Sequence, residues 1–336
     1  MNITLSSNDI HRVATLTKSN ELAIISESGS TLIIAQENDK DISFKNQIIL
    51  KINSDGYGGQ AVITKELLKL IPKNSKVEIT ENQIKIGSRK INYKSNSTNI
   101  KAIKLEKHLV TLSSEEFKEF INLEYAYAKD ETRPILCGVC IDNKEIVALD
   151  GFRLAVRSIV SIAAEQVIIS KELIDVVKKI KPKDTVQIYF DDNYVSFIFG
   201  DLEIIGNRVS GTYIKYKSLI PDEFKTEVTV SSSYLLDIIQ NYKNAKLGIT
   251  KFKISKDSIN LRSSNEKIIV EDNLKASVEG PDIEVAFNTN YLVDSFKQYT
   301  DEVVLKVTSS IQPMIITDNS NKLDLILPVR LSKESR

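Results

Sequence analysis

An α+β fold made of three tandem copies of a two-helix, antiparallel-sheet domain is what this sequence predicts, and two recurring phrases carry the prediction. The first phrase is Val110-Thr-Leu-Ser-Ser-Glu-Glu-Phe117. Ile3-Thr-Leu-Ser-Ser-Asn-Asp-Ile10 precedes it and Val228-Thr-Val-Ser-Ser-Ser-Tyr-Leu235 follows it. The second, Val62-Ile-Thr-Lys-Glu-Leu-Leu68, recurs as Ile168-Ile-Ser-Lys-Glu-Leu-Ile174 and more loosely as Phe287-Asn-Thr-Asn-Tyr-Leu-Val293. Thr4, Thr111 and Thr229 stand 107 and 118 residues apart, and Thr64, Ser170 and Thr289 stand 106 and 119 apart. Two unrelated phrases whose spacings agree to within one residue divide the chain into copies at 1–103, 104–226 and 227–336. Length alone, at about 100–200 residues per domain, leaves two or three; the repeat chooses three.

Composition narrows the function classes. A hydrophobic content of 42% with 27% charged residues lets each copy bury a core. No apolar run is long enough to span a bilayer, and no basic segment followed by an apolar one opens the chain, so the expected location is the cytoplasm. The balance of 45 basic against 45 acidic residues argues against bulk electrostatic gripping of nucleic acid. Any contact with DNA is expected to be local and light. Cys137 and Cys140 have redox or metal spacing, but residues 135–141 read as a strand, on which positions three apart face opposite sides. Only His11 and His108 could complete a metal set, and their spacing does not match one. Buried or half-buried thiols are expected, with no metal and no cofactor.

Each copy then reads in order. In copy one a helix is predicted from about Asn8 to Leu16, with Ile10, Val13 and Ala14 inward and Ser6-Ser-Asn-Asp9 capping it. Strands Leu22–Ser26, Ser30–Ala35 and Gln60–Ile63 follow. A helix at Lys65–Ile71 is stopped by Pro72, and strands Lys76–Thr80 and Gln83–Gly87 turn at Glu81-Asn82. The Gly-rich stretch 54–59 lacks the Lys-Ser/Thr ending of a phosphate loop and reads as a plain turn. In copy two, Ser113 and Glu116 form a capping box for a longer helix with a Phe117, Phe120, Ile121, Tyr125, Ala128 stripe. Strands are expected at Ile135–Ile141, Glu145–Asp150 and Arg153–Ile159, a helix at Lys171–Lys181, and strands at Thr185–Phe190 and Tyr194–Phe199. Copy three sets Leu235, Ile238, Ile239 and Tyr242 on its first helix and Leu292, Phe296 and Tyr299 on its second, and ends in a strand over 324–331. The order per copy is β-α-β-β-β-β-α-β-β-β.

The polar helix faces carry cations: Arg12, Lys18, Lys65, Lys69, Lys118, Lys129, Lys171, Lys178 and Lys297, with Arg133 nearby. Such faces are either solvated surface or parts of one DNA-facing lining, and charge alone does not decide between the two.

Thr132-Arg-Pro-Ile-Leu-Cys-Gly138 and Ala148-Leu-Asp-Gly-Phe-Arg-Leu-Ala-Val156 resemble phrases of the bacterial DNA polymerase III beta subunit, the replicative sliding clamp family. Leu325-Ile-Leu-Pro-Val-Arg-Leu331 is similar to that family's ending, and Glu284-Val-Ala-Phe-Asn-Thr-Asn-Tyr-Leu292 to its third-domain helix entry. The resemblance is strong in copies two and three and weak in copy one. It implies the DNA clamp fold: a head-to-tail homodimer closed as a ring around duplex DNA, helices inside and strands outside. Such a ring holds DNA without reading bases and confers processivity on a polymerase without chemistry of its own.

The resemblance also implies a cleft between the second and third domains that takes peptides of the polymerase and the clamp loader. Its wall would be Leu136, Leu149, Gly151, Phe152, Arg153, Leu154, Ile214, Ser218 and Leu219. Ile311, Pro313, Leu325, Leu327, Pro328, Val329 and Arg330 would complete it. An apolar trough with a few polar anchors suits an extended Leu- or Phe-bearing peptide. Three residues depart from the family: Phe152 stands for a His, Leu149 for a Thr and Ser218 for a frequent basic residue. Copy one is shortened between Lys18 and Leu22, which leaves Lys18 as a loose stand-in for a DNA-contacting arginine. The segment Tyr242-Lys-Asn-Ala-Lys246 is more polar than the family's dimer contact. Two other readings stand beside the clamp. One is a clamp-derived peptide binder that does not encircle DNA. The other is an enzyme on a triplicated fold, against which the chain shows no Gly-x-Ser-x-Gly or His-Glu-x-x-His.

Overall fold

Both recurring phrases are joints at which a strand hands over to a helix through a polar cap. The computed structural model describes residues 2–27, 29–38, 44–54, 58–95, 100–318 and 320–330. Its first run of elements is β1 (Ile3–Ser6), α1 (Ser7–Leu16), β2 (Glu21–Glu27), β3 (Ser30–Asn38), β4 (Phe44–Asn53), β5 (Gly59–Thr64), α2 (Lys65–Leu68), β6 (Lys76–Ile79), β7 (Gln83–Ile86) and β8 (Arg89–Asn92). The second is β9 (Lys107–Leu112), α3 (Ser114–Asn122), β10 (Gly138–Asp142), β11 (Glu145–Leu149), β12 (Arg153–Ser158), β13 (Val167–Ser170), α4 (Lys171–Val177), β14 (Val186–Phe190), β15 (Tyr194–Phe199) and β16 (Leu202–Val209). The third is β17 (Thr226–Ser231), α5 (Ser232–Asn244), β18 (Ile249–Ser255), β19 (Ser258–Ser264), β20 (Ile269–Lys275), β21 (Ser277–Glu279), β22 (Ile283–Asn288), α6 (Thr289–Phe296), β23 (Glu302–Val307), β24 (Met314–Thr317) and β25 (Lys322–Ile326). The first two runs follow the expected order; the third adds the short β21.

The caps explain the recurrence. Ser6 accepts from Asn8 N, Ser231 from Tyr234 N, and Ser113 and Glu116 exchange bonds at 3.1 and 2.7 Å as a capping box. In the second phrase Thr64, Ser170 and Asn288 accept from Leu67 N, Leu173 N and Asn290 N. Each side chain satisfies a first-turn N–H that has no partner inside its helix.

Several boundaries differ from expectation. The helices predicted to Ile71 and Lys181 end at Leu68 and Val177. Their last turns tighten to i→i+3 bonds, Ile71 N to Leu68 O and Ile180 N to Val177 O, ahead of Pro72 and Pro182. The helix after Ser113 is not longer than α1, because it passes into a 3-10 turn at Leu123–Tyr125. Residues 135 and 136, expected in a strand, belong with Pro134 to another 3-10 turn, so Cys137 lies outside β10. Among the described residues neither cysteine is in a disulfide, both are buried, and the Cys137 thiol donates to Asp130 O at 3.1 Å. The closing strand stops at Ile326, since Pro328 has no N–H to continue a ladder. Strands β4, β8, β13 and β16, and β18 to β24 of the third run, are found beyond those expected by range. Residues 55–57 of the Gly-rich stretch and Leu331 lie outside the described residues.

The chain divides into two compact units, Met1–Lys118 with Ser161–Ser210, and Glu119–Val160 with Gly211–Arg336. In the first unit strands pair antiparallel in the order β9-β14-β15-β16-β4-β3-β2-β5, with β13 also on β16. The join between the first two runs is β16 on β4, where Leu202 faces Leu50 and Ile204 faces Ile48. A second sheet runs β1-β6-β7-β8. Helix α4 crosses close to β16 at Gly206, where a Cβ would stand 2.9–3.2 Å from Leu173 side-chain atoms.

In the second unit one sheet runs β10-β11-β12-β25-β24-β23-β17-β21 and another β20-β19-β18-β22. Leu235 and Ile239 of α5, Leu292 and Phe296 of α6, and Phe252, Phe287 and Val303 of the strands share one buried core. Among the described residues no helix is long and apolar enough to cross a membrane.

Candidate functional site

The residues expected to wall a cleft all fall in the second unit, and strand pairing brings its two sides together. Leu149 ends β11 opposite Leu154 of β12, and Leu154 faces Leu325 of β25 across the next rung. Arg153 pairs with Ile326, which pairs in turn with Met314, so the 311–313 segment enters beside the same strands. Beyond the ladder, Leu327 N–H donates to Phe152 O at 2.8 Å. Side chains on a strand alternate faces, so Leu149, Leu154 and Leu325 form one apolar row. That row is buried, as is Leu136, whereas Phe152, Ile214, Leu219, Ile311 and Leu327 are exposed. The row is a buried floor, and Phe152 and Leu327, joined through their backbones, are exposed at its end. An exposed large apolar side chain beside a buried row is the informative kind of surface apolarity.

The turn between β11 and β12 is built for rigidity. Asp150 Oδ1 accepts from Phe152 N at 2.9 Å and from Arg153 N at 3.1 Å, and Gly151 takes a φ of +93°, which a side chain would strain. Arg153 is buried, with Nε on Asp150 Oδ2 and Nη1 on Asp294 Oδ2, both at 2.9 Å. Its guanidinium lies over Tyr291, and Tyr291 stacks with Phe152 at 6.1 Å and 27°. Phe152 is thus propped from below while its ring faces out. Burial, and then the Asp150 carboxylate, push the Tyr291 phenol above its usual range.

The segment carrying Ile214, Ser218 and Leu219 is held by its aromatic residues. Tyr213 and Tyr216 are buried, the Leu149 backbone N–H bears on the Tyr213 hydroxyl, and Tyr216 donates to Glu145 at 2.5 Å. Burial comes first in pushing both phenols up. Gly151, Ser218 and Arg330 are exposed; Pro313, Pro328 and Val329 are half-buried. Val329 N–H donates to Ala286 O at 2.7 Å and so carries the chain from β25 toward β22.

Behind the apolar row, on the opposite face of β12 and β25, lies a buried polar cluster. Arg157 and Asp324 pair at 3.0 Å with only 2% and 1% of their side chains exposed. Tyr125 donates to Asp324 Oδ1, and Tyr299 to Asp324 Oδ2 at 2.7 Å. Burial works to lower the Arg157 pKa, but Asp324 together with Tyr125, Tyr299 and Glu119 outweighs it and the guanidinium is held charged. Both phenols are pushed well above their ordinary value, by burial first and Asp324 second. The sequence reading missed this cluster. Its signal was an Asp in the alternating run Leu323-Asp-Leu-Ile-Leu327 and an Arg in Leu154-Ala-Val-Arg157.

The cations expected to face DNA are less uniform. Arg12 Nη1 donates to both carboxylate oxygens of Asp201 at 3.0 Å, Lys178 pairs with Asp175 at 2.6 Å, and Lys171 lies 3.9 Å from Glu172. Lys65 donates to Thr17 O at 2.9 Å, which caps the end of α1. Lys18, Lys69, Lys118, Lys129 and Lys297 are exposed. Arg133 is exposed too, and its Nη1 lies where a Cβ on Gly151 would meet it at 3.4 Å, so the structure sets it beside the cleft turn.

Comparison with known proteins follows the same outline. Residues 111–215 match the family model for the DNA polymerase III beta subunit, central domain, and residues 217–330 match that for its C-terminal domain. The beta sliding clamps of Staphylococcus epidermidis (strain ATCC 12228) and Staphylococcus aureus (strain N315) are each 27% identical over 240 residues. Those matches cover 66% of this chain and 64% of the relatives' length. Among solved structures, the DNA polymerase sliding clamp from Bacillus subtilis aligns with a TM-score of 0.83 at 20% identity, over 99% of this chain and 100% of that one. The beta subunit from DNA polymerase of Streptococcus pyogenes does so with 0.83 at 20%, over 98% and 100%. At that identity the structures speak to the fold, which is the clamp fold. The two family matches together span well over half of the residues, and the chain belongs to the DNA polymerase III beta subunit family.

Proposed function

We propose that this protein is a sliding clamp that encircles duplex DNA as a head-to-tail homodimer and holds replication proteins by peptides seated in the cleft of its second unit. The observation that carries the reading is the Leu149–Leu154–Leu325 row with exposed Phe152 and Leu327 at its end. An apolar trough edged by a rigid polar turn suits an extended peptide with alternating large apolar side chains. The peptides would come from a replicative polymerase and a clamp loader in the cytoplasm, and the clamp would add processivity without catalysis. The three domains are taken as 1–103, 104–226 and 227–336.

Ring closure is supported by two edge strands. Among the described residues β8 pairs with β7 alone and β20 with β19 alone. Arg89 and Lys90 on β8 oppose in sign the two acids, Glu271 and Asp272, that outnumber the one lysine of β20. Antiparallel pairing of β8 from one subunit with β20 from the next would satisfy both edges and bury exposed Ile269. DNA would be held by topology, with Lys18, Lys69, Lys118, Lys129 and Lys297 reaching phosphates regardless of base sequence.

The local pairing of Arg12, Lys65 and Lys178 favours a second reading, a clamp-derived peptide binder that does not encircle DNA. One experiment separates the two. Protein loaded with a clamp loader onto nicked circular DNA is followed by gel filtration before and after the circle is cut. Retention on the circle with release from the linear form supports the ring; equal loss from both, with peptide binding intact, supports the second reading.

A further inference from the structure

We propose that the buried Arg157–Asp324 pair is the register lock between β12 and β25, positioning the two sides of the cleft against each other. As a statement about peptide binding it rests on the cleft reading above.

No turn connects these strands. Arg157 and Asp324 are 167 residues apart in the chain, so hairpin geometry cannot set their alignment. The apolar pattern does not set it either. Leu323, Leu325 and Leu327 alternate along one side, so a slip of two residues would still present a leucine to Leu154. What does not repeat lies on the other face. There Lys322, Asp324 and Ile326 follow one another, and only Asp324 supplies an anion.

In the observed register Asp324 faces Ala155, whose small side chain leaves room beside it, and Arg157 Nη2 reaches it at 3.0 Å. Two hydroxyls, Tyr125 and Tyr299, complete the carboxylate's acceptor sites. Arg157 Nη1 also donates to Val156 O at 2.9 Å and Leu323 O at 3.2 Å, one carbonyl on each strand. Glu119 stands 3.4 Å from Arg157 Nε and 2.9 Å from Lys322 Nζ, so Lys322 has its own carboxylate at the strand end. A two-residue slip would set Asp324 opposite Arg157 or Arg153 instead of Ala155. It would put Ile326 or Lys322 in its place between the Tyr125 and Tyr299 hydroxyls and leave those buried donors without their acceptor, which is disfavoured. The lock therefore selects one of several registers that the leucines alone would accept. That choice sets Leu325 opposite Leu154 and Leu327 N–H on Phe152 O. Arg157 and Asp324 face away from the trough and act through the strands, as positioning residues.

Two variants of the full chain test this: Asp324→Asn, and the paired replacement Arg157→Met with Asp324→Leu, which should fold because apolar side chains of similar volume can replace a buried pair. Amide exchange is measured by NMR at Leu325 and Leu327, with Phe252 and Leu261 of β18 and β19 as an internal reference. Binding of a fluorescein-labelled Ser-Leu-Ser-Leu-Phe peptide is read by anisotropy. Exchange at Leu325 and Leu327 is expected to speed up by about tenfold or more in both variants while the reference amides stay protected. Peptide affinity should fall by about tenfold. Unchanged exchange at Leu325 and Leu327 in the paired variant overturns the lock, and so does equal acceleration at all four amides, which would mean a general loss of stability. Selective acceleration in a protein whose wild type does not bind the peptide would uphold the lock and overturn the cleft reading instead.

Discussion

The Arg153 guanidinium carbon sits 4.5 Å from the centroid of the Tyr291 ring, so one buried cation braces the aromatic platform under Phe152. The same side chain pairs with both Asp150 and Asp294, and Lys243 stands 3.5 Å from the second of these. Arg153→Ala would leave both carboxylates facing a site vacated by their cation. It should lower unfolding free energy by about 3 kcal/mol in urea titrations. Arg153→Lys should recover only part of that, because an ammonium cannot serve two carboxylates and a ring with one planar fork.

Phe152 is 58% exposed and little of the core rests on it. Phe152→Ala should change stability by no more than about 0.5 kcal/mol. Peptide binding should weaken by about tenfold, the effect of removing an aromatic anchor from an interface. Anisotropy titration beside a thermal melt of the same sample separates the two effects.

Gly206 lies under Leu173, and the space a Cβ needs is already taken at 2.9 Å. Gly206→Ala should destabilise the first unit by about 1–3 kcal/mol through overpacking. Gly200→Ala, where nothing stands within 4 Å but φ is +65°, isolates the cost of backbone strain for comparison in denaturant melts.

Glu37 accepts from the Lys18 N–H, from Thr17 Oγ1 at 2.9 Å and from Asn46 Nδ2 at 3.4 Å. Burial raises its pKa, but these donors together with Lys45 outweigh burial and hold it below the ordinary 4.5. A carboxyl whose folded value is depressed contributes its stability fully above the unfolded value. That contribution is lost as pH falls through the folded one. Melting temperature should therefore drop in acid below about pH 4.5. Glu37→Gln should flatten that dependence while lowering stability at neutral pH.

Lys65 and Lys69 stand one helical turn apart and should behave differently. Lys65 is bonded to Thr17 O, so Lys65→Ala should cost about 1 kcal/mol of stability. Lys69 is exposed, and Lys69→Ala should leave melts unchanged and reduce only retention on DNA at raised salt.

What the sequence by itself determined was local. Ser6, Ser113 and Ser231 cap helices because a side-chain oxygen needs only the N–H two or three residues on. Strand alternation in β14 needs only period two, and the threefold order of elements follows from spacings in one chain. The helix ends after Leu68 and Val177 were misread because a 3-10 turn keeps nearly the same side-chain pattern as an α-turn. Only the tertiary structure decided which side chains meet across long loops. It aligned Leu149, Leu154 and Leu325 and set Arg133 beside Gly151. It also gave Arg12 to Asp201 and buried Asp324 among Arg157, Tyr125 and Tyr299. The physical reason is the same in each case. Non-local strand pairing satisfies backbone groups that any residue carries, so its register is chosen by partners far away in the chain rather than by the pattern of either strand.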